Sequence, residues 1–319
     1  MKTANWILKA AMAAAAVTLA AAVPAMAQSA IQTALSAPAD NRPITYTGSL
    51  PFGAYDPPGD FTNDKFARIE HLFLPWEDVD LTFLSSADEY ALARGREILI
   101  TIEPWTWSQD KRIFPKELYT NITTGLFDGT IAEICGTASH YKSKTTIRWA
   151  QEMEETNGRF AWSGWKPDAY KDAYRRFVSE CRAAAPNVKF MWSPKGLPTL
   201  AEYYPGDDVV DLVGLSVFGL QAYDRGEFGH DRTFDEILKP GYDQAVRLGK
   251  PIWVAELGYS GSQAYVDNWA KTVELLYPQF PKLEAIVYFN DKEVYPWPKG
   301  YGLPDWRVNS NVTTSAATN

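Results

Sequence analysis

Eight short apolar runs punctuate the chain, at Pro51–Tyr55, His71–Trp76, Ile98–Glu103, Thr146–Glu152, Val188–Ser193, Leu212–Phe218, Ile252–Glu256 and Ala285–Asn290. Each has the length and apolar continuity of a buried strand, and helical patterns fill most of the gaps. Asp80–Gly95, with Leu81, Leu84, Tyr90 and Leu92, and Asp168–Ala185, with Tyr170, Tyr174, Phe177 and Val178, show the clearest helical spacing. Pro167 and Pro186 bracket the second of these, and Gly249 ends another helix ahead of Pro251. Alternating strand and helix with continuous apolar strands is the pattern of a parallel sheet covered by helices. Eight such units in about 260 residues is the size of a closed (β/α)8 TIM barrel in a single domain. Two units are thin: the first must find its helix in Asp60–Glu70, and only Gly196–Asp208 joins the fifth strand to the sixth. An open doubly wound sheet is the alternative, but no glycine-rich phosphate loop follows the first strand.

The ends differ from the middle. Residues 1–27 carry Lys2 and Lys9, an Ala-rich apolar run and Ala25-Met26-Ala27, the signature of a Sec-type signal peptide cleaved after Ala27. That run is too short for a membrane span, no cysteine follows to take a lipid, and no membrane anchor is expected. Residues 28–44 and 308–319 lack apolar periodicity and read as flexible ends, leaving 45–307 for the barrel. The expectation is a secreted or periplasmic protein. Removing the two signal lysines moves the net charge from −8 to −10, a poor match for nucleic acid or anionic lipid. A neutral partner is inferred, and the oligomeric state is left open.

Cys135 and Cys181 both fall in predicted helices. In an oxidising compartment they either form a disulfide or remain two buried thiols. No metal site is expected, because two cysteines without paired histidines do not make a zinc centre. His71, His140 and His230 show no ligand spacing and are assigned no chemistry; His71 would open the second strand, away from the mouth. No cofactor is called for.

The chemistry resides in two glutamates. Glu152 closes the fourth run and Glu256 the seventh, each at the C-terminal end of an apolar strand. Strand alternation puts Arg148, Ala150 and Glu152 on one face, and Ile252, Val254 and Glu256 on another. If both faces point inward, two carboxyls meet at the mouth of the barrel. Retaining glycoside hydrolysis uses such a pair, one carboxyl to protonate the leaving oxygen and one to attack the sugar carbon, roughly 5–5.5 Å apart. Arg148 would lie beneath the pair as a donor to a carboxylate. Glu103, at the end of the third strand, is a candidate for a sugar hydroxyl. Aromatic residues crowd the predicted strand ends and loops, and flat rings suit the C–H faces of sugars. Trp105, Trp162, Trp165, Trp192, Phe218, Tyr223 and Phe289 are the candidate platforms among the twelve tryptophans and other aromatics.

The segment Arg148-Trp149-Ala150-Gln151-Glu152-Met153, followed by Asn157-Gly158 and Trp162-Ser163-Gly164-Trp165, resembles a region of glycoside hydrolase family 26. Tyr203–Asp211, Val213–Phe218 and Pro251–Gly258 are similar to the same family, and the resemblance spans roughly residues 50–306. It implies a retaining endo-β-glycosidase acting on a neutral β-linked polysaccharide or oligosaccharide such as β-1,4-mannan or β-1,3/1,4-glucan. Glu152 would be the acid/base and Glu256 the nucleophile. One departure stands out: the family has His before the acid/base, and this chain has Gln151, with Glu154-Glu155 inserted before Asn157. A glutamine still hydrogen-bonds a sugar hydroxyl, but the change keeps open a second reading, a catalytically silent polysaccharide-binding protein of an exopolysaccharide biosynthesis or export system.

Overall fold

The computed structural model describes residues 50–77, 79–105, 113–272 and 278–313; the proposed signal peptide and residues 28–44 lie outside them. Eight parallel strands close into a barrel in sequence order, with β8 returning to β1. They are β1 (Phe52–Tyr55), β2 (Ala67–Pro75), β3 (Glu97–Glu103), β4 (Thr145–Trp149), β5 (Lys189–Trp192), β6 (Leu212–Leu220), β7 (Ile252–Ser260) and β8 (Leu283–Phe289). The helices are α1 (Leu81–Leu92), α2 (Pro115–Thr123), α3 (Asp128–Ser139), α4 (Pro167–Ala184), α5 (Gln221–Phe228), α6 (Phe234–Ala245) and α7 (Gln263–Thr272). None of the described helices is long and apolar enough to cross a membrane.

Two layers of buried side chains follow from strand alternation. Ile98, Ile100, Ile102, Ile147, Trp149, Val213, Leu215, Ile252 and Val254 join the helix residues in one large core outside the barrel. Ile69, Leu99, Met191, Leu212, Ala255, Ala285 and Val287 form a second, smaller core inside it. The helices dock through their apolar stripes. On α4, Tyr170, Tyr174, Phe177, Val178 and Cys181 are all buried, and Phe177 stacks on Trp149 of β4 at 5.0 Å with the rings 8° from parallel. Pro167 starts α4 and Asp80 caps α1 by accepting from the Thr82 and Phe83 amides, as the sequence signals indicate. A disulfide joins Cys135 of α3 to Cys181 of α4.

Several sequence expectations change. Asp60–Glu70 forms no helix: the Asp56 carboxylate accepts from the Asp60 and Phe61 amides and holds the chain in turns until β2 begins at Ala67. His71 consequently sits in the middle of β2, inside the barrel, rather than at its start. A single 3-10 turn, Leu200–Tyr203, serves the link between β5 and β6. The C-terminal segment is packed as far as it is described. Val308 and Asn311 are fully buried, the Val308 amide donates to Asn290 Oδ1, and Thr313 donates to the Gly261 carbonyl.

Candidate active site

Glu152 lies three residues beyond the end of β4, not within it. Ala150 and Glu152 both have left-handed backbones, with φ of 46° and 54°, a conformation that costs a residue with a β-carbon roughly 1–2 kcal/mol. Hydrogen bonds on every side enforce it. The Ala150 amide donates to the Ile102 carbonyl at 3.3 Å and the Glu152 amide to the Ser193 carbonyl at 2.8 Å. Tyr170 Oη donates to the Ala150 carbonyl at 3.3 Å, and Trp162 Nε1 to the Gln151 carbonyl at 2.7 Å. Backbone strain maintained in this way concentrates at working sites. It also overturns the simple alternation expected for this strand: Ala150 belongs to the outer core, and Glu152 reaches the mouth through the turn.

Glu256 arrives inside by a different route. Ile252 and Val254 face the helices, so strict alternation would send Glu256 outward too. Between Val254 and Leu257, β7 carries one residue more than β8 requires, and the register with β6 shifts at the same point. The bulge leaves Ala255 in the inner core and turns Glu256 into the barrel as well, the kind of re-aiming bulges supply. There Arg148 Nη1 donates to Glu256 Oε1 at 2.6 Å, the arginine wholly buried and the glutamate nearly so.

The two carboxyls feel each other. Burial is the largest influence on Glu256 and pushes its pKa up to about 7; Arg148 opposes this, and the negative charge of Glu152 reinforces it. Burial is also the largest influence on Glu152 and pushes it up, but Lys195, Arg159, the Ser216 hydroxyl and Arg148 together outweigh it and hold that carboxyl below its ordinary range. The pair therefore shares one proton around neutrality, a property of both groups together.

Inward-facing residues at the upper ends of β1, β2, β3, β6 and β8 complete the mouth: Tyr55, Phe73, Glu103, Phe218 and Phe289, all half-buried. Phe289 is the hub of the rings, 5.3 Å from Tyr55, 5.8 Å from Phe73 and 6.1 Å from Phe218. Both Glu103 oxygens are engaged, one accepting from Gln151 Nε2 at 2.6 Å and the other from Trp105 Nε1 at 3.0 Å. Burial raises the Glu103 pKa against those two bonds. Glu103 thus orients Gln151 and Trp105, and Trp105 keeps a partly open ring.

Three candidate platforms are corrected. Trp162 is fully buried, stacked on Phe160 and clamping Gln151. Trp165 is buried with its indole donating to the Pro115 carbonyl. Trp192 alternates to the helix side of β5, where it is fully buried, while its neighbour Met191 points inward. None of the three has a face left for a sugar. Tyr223 lies outside the ring of strands, on α5, packed edge-on against Trp297 and Tyr301.

Sequence reasoning missed a set of charges. Arg159 forms an ion pair with Glu293 at 3.0 Å; burial pulls its pKa down, but the charges of Glu293, Glu152, Glu256 and Glu103 together outweigh burial and raise it. Lys195 pairs with Glu155. Glu293 belongs to an excursion after β8 whose base is bridged at Lys292 and Asp305. This excursion also reaches the loop after β4, where Tyr295 Oη donates to the Asn157 carbonyl at 3.0 Å. Only Asn157-Gly158 beside Arg159 hinted at any of this. Among the described residues, no cluster of His, Cys, Asp or Glu is placed to hold a metal ion.

The sequence profile of glycosyl hydrolase family 26 matches residues 104–276, 173 of the 319 positions. A β-1,3-xylanase of Vibrio sp. is 29% identical over 108 residues, 32% of this chain and 22% of the relative. A mannan endo-1,4-β-mannosidase of Bacillus subtilis is 24% identical over 167 residues, 48% of this chain and 42% of the relative. The chain therefore spans well under half the length of these curated relatives. Among solved structures, a modular endo-β-1,4-mannanase of Cellulomonas fimi superimposes with a TM-score of 0.60 at 16% identity, covering 76% of this chain and 65% of that one. The catalytic domain of an endo-β-1,4-mannanase from Bacillus sp. JAMB-750 gives 0.58 at 16% identity, covering 76% and 77%. The fold is shared with these enzymes, and on the profile match the chain belongs to glycosyl hydrolase family 26.

Proposed function

We propose that the protein is a retaining endo-β-glycosidase that cuts a neutral β-linked polysaccharide, with Glu152 as acid/base and Glu256 as nucleophile. The observation that carries this is the pair of buried glutamates in the mouth of a closed barrel, one of them seated on Arg148 at 2.6 Å. β-1,4-Mannan, β-1,3/1,4-glucan and, from the name of the Vibrio relative, β-1,3-xylan are the candidate substrates. Lys2, Lys9 and Ala25-Met26-Ala27 support action outside the cytoplasm.

The chemistry needs the shared proton on Glu152 once a glycosidic oxygen is in place. Two influences favour that arrangement: Arg148 stabilises ionised Glu256, and the leaving oxygen accepts from a protonated Glu152. Glu256 then attacks the anomeric carbon as Glu152 protonates the departing sugar. In the second half Glu152 takes a proton from water, which releases the sugar from Glu256 with its configuration retained. The aromatic ring set around Phe289 offers apolar faces to the sugar, and Gln151, buried and fixed by Glu103, packs beside the acid/base. No cofactor enters the scheme.

Reducing-end release from mannan, lichenan, β-1,3-xylan and native exopolysaccharide tests the reading. Wild type should generate new ends on at least one glycan, and Glu256→Ala and Glu152→Gln should lose nearly all of that activity. Unimpaired cleavage by either variant removes the assignment. The departure at Gln151 supports the second reading, a silent binder, which would hold glycan on an affinity gel while producing no new ends.

A further inference from the structure

We infer that Thr101 and His71, buried inside the barrel below the carboxylates, are positioning residues that aim the Arg148 guanidinium at Glu256. This rests on the reading of Glu256 as nucleophile and extends it to residues that touch no substrate. The geometry is a continuous chain across four strands, β2, β3, β4 and β7. His71 Nε2 lies 2.7 Å from Thr101 Oγ1, Arg148 Nη1 lies 3.3 Å from the same oxygen, and Arg148 Nη1 lies 2.6 Å from Glu256 Oε1. All three relay side chains are within 1% of complete burial.

Nη1 carries two N–H bonds fixed in the guanidinium plane. One goes to Glu256 and the other to Thr101, so anchoring the second directs the first. Thr101 is a better anchor when its own proton is committed elsewhere, because a hydroxyl that donates is polarised into a stronger acceptor. His71 Nε2 is the acceptor within reach. That requires a neutral imidazole protonated on Nδ1, an assignment made from the hydrogen-bond network. Burial, and then the Arg148 charge, hold the His71 pKa well below its usual value and keep it in that form. Its ring is wedged by Phe73 at 4.5 Å and Tyr55 at 6.0 Å, both half-buried residues of the mouth. The charged and titratable groups that act on Glu256 are Arg148 from β4, Glu152 and Arg159 from the segment after it, and, coupled to it from β1, Tyr55. Of these, Arg148 alone has its aim set from below.

The test uses Thr101→Val, which keeps the shape and removes the oxygen, and Thr101→Ser, which restores it. A hydrogen bond to a charged group is typically strong enough that its loss should lower kcat by about tenfold, with KM within about twofold. Thr101→Ser should return to near wild type, and His71→Phe should shift the same readouts in the same direction. Independently of turnover, 13C-glutamate NMR should show the Glu256 carboxyl titrating at higher pH in Thr101→Val, because a misdirected cation stabilises the carboxylate less. A purely structural Thr101 would lower thermal stability while leaving kcat and the titration where they are; that result, in a folded variant, overturns the inference. Should Glu256→Ala retain activity, the reading of the nucleophile falls, whereas the carboxyl titration still decides whether Thr101 positions Arg148.

Discussion

At the scale of single residues, the coupled pair sets the pH range in which the site can work. Productive chemistry needs one proton on the pair. It is lost as pH rises through the Glu256 value of about 7, and a second is gained only below the ordinary glutamate range, where Glu152 protonates. The account predicts a bell-shaped kcat/KM profile whose upper limb falls near pH 7 and whose lower limb lies on the acid side of an unperturbed glutamate. Kinetics from pH 3 to 9 at constant ionic strength check it; a flat profile through pH 8 would contradict the coupling. Trp162 supplies a second residue-scale prediction. Trp162→Phe leaves the buried Gln151 carbonyl without its donor, which should destabilise the fold by about 1–3 kcal/mol. Because that carbonyl fixes the turn carrying Glu152, activity should fall further than the stability loss explains, measurable by comparing denaturant midpoints with kcat. Sequence reading places Trp162 on the substrate because a tryptophan after a strand looks the same whether it meets a sugar or a carbonyl. Only the three-dimensional partner decides which.

Among the elements, periodicity located all eight strands and helices in most of the gaps between them, because continuous apolar runs and 3.6-residue stripes are local properties. It failed where a turn, a bulge or a left-handed backbone overrides the regular pattern. The Asp60–Glu70 stretch reads as a helix only because the first unit needs one, and the Asp56 carboxylate captures its first amides instead. Glu256 reaches the interior through a bulge at Ala255, and Glu152 through two left-handed residues; neither irregularity has a mark in the composition of the strand. Both glutamates were legible as strand-end carboxylates, while the means that bring them inward were not. The α3–α4 disulfide yields an element-scale prediction. Closing a separation of 46 residues should contribute about 4 kcal/mol in the chain-entropy description. Reduction, or Cys135→Ser with Cys181→Ser, should lower the denaturation midpoint accordingly and leave KM unchanged, since neither helix end reaches the mouth. An unchanged midpoint would mean that the bridge adds nothing.

For the whole molecule, the barrel closes β8 onto β1 and so sets β4 and β8 on opposite sides of the ring. The excursion after β8 nevertheless bonds to the loop after β4 through Glu293 and Tyr295. The mouth is therefore assembled from distant parts of the chain, and Arg159, Lys195 and Glu293 escaped notice because each looks in sequence like an ordinary surface charge. Family membership fixes the fold and the broad chemistry. The most direct measurement of the central claim, that Glu152 and Glu256 flank one anomeric centre in a double displacement, is proton NMR of the first product formed on whichever glycan is cut. The account predicts that the β-anomer appears first and then mutarotates, and that Glu256→Gln forms neither anomer. First appearance of the α-anomer, or product formation by Glu256→Gln at the wild-type rate, would contradict it.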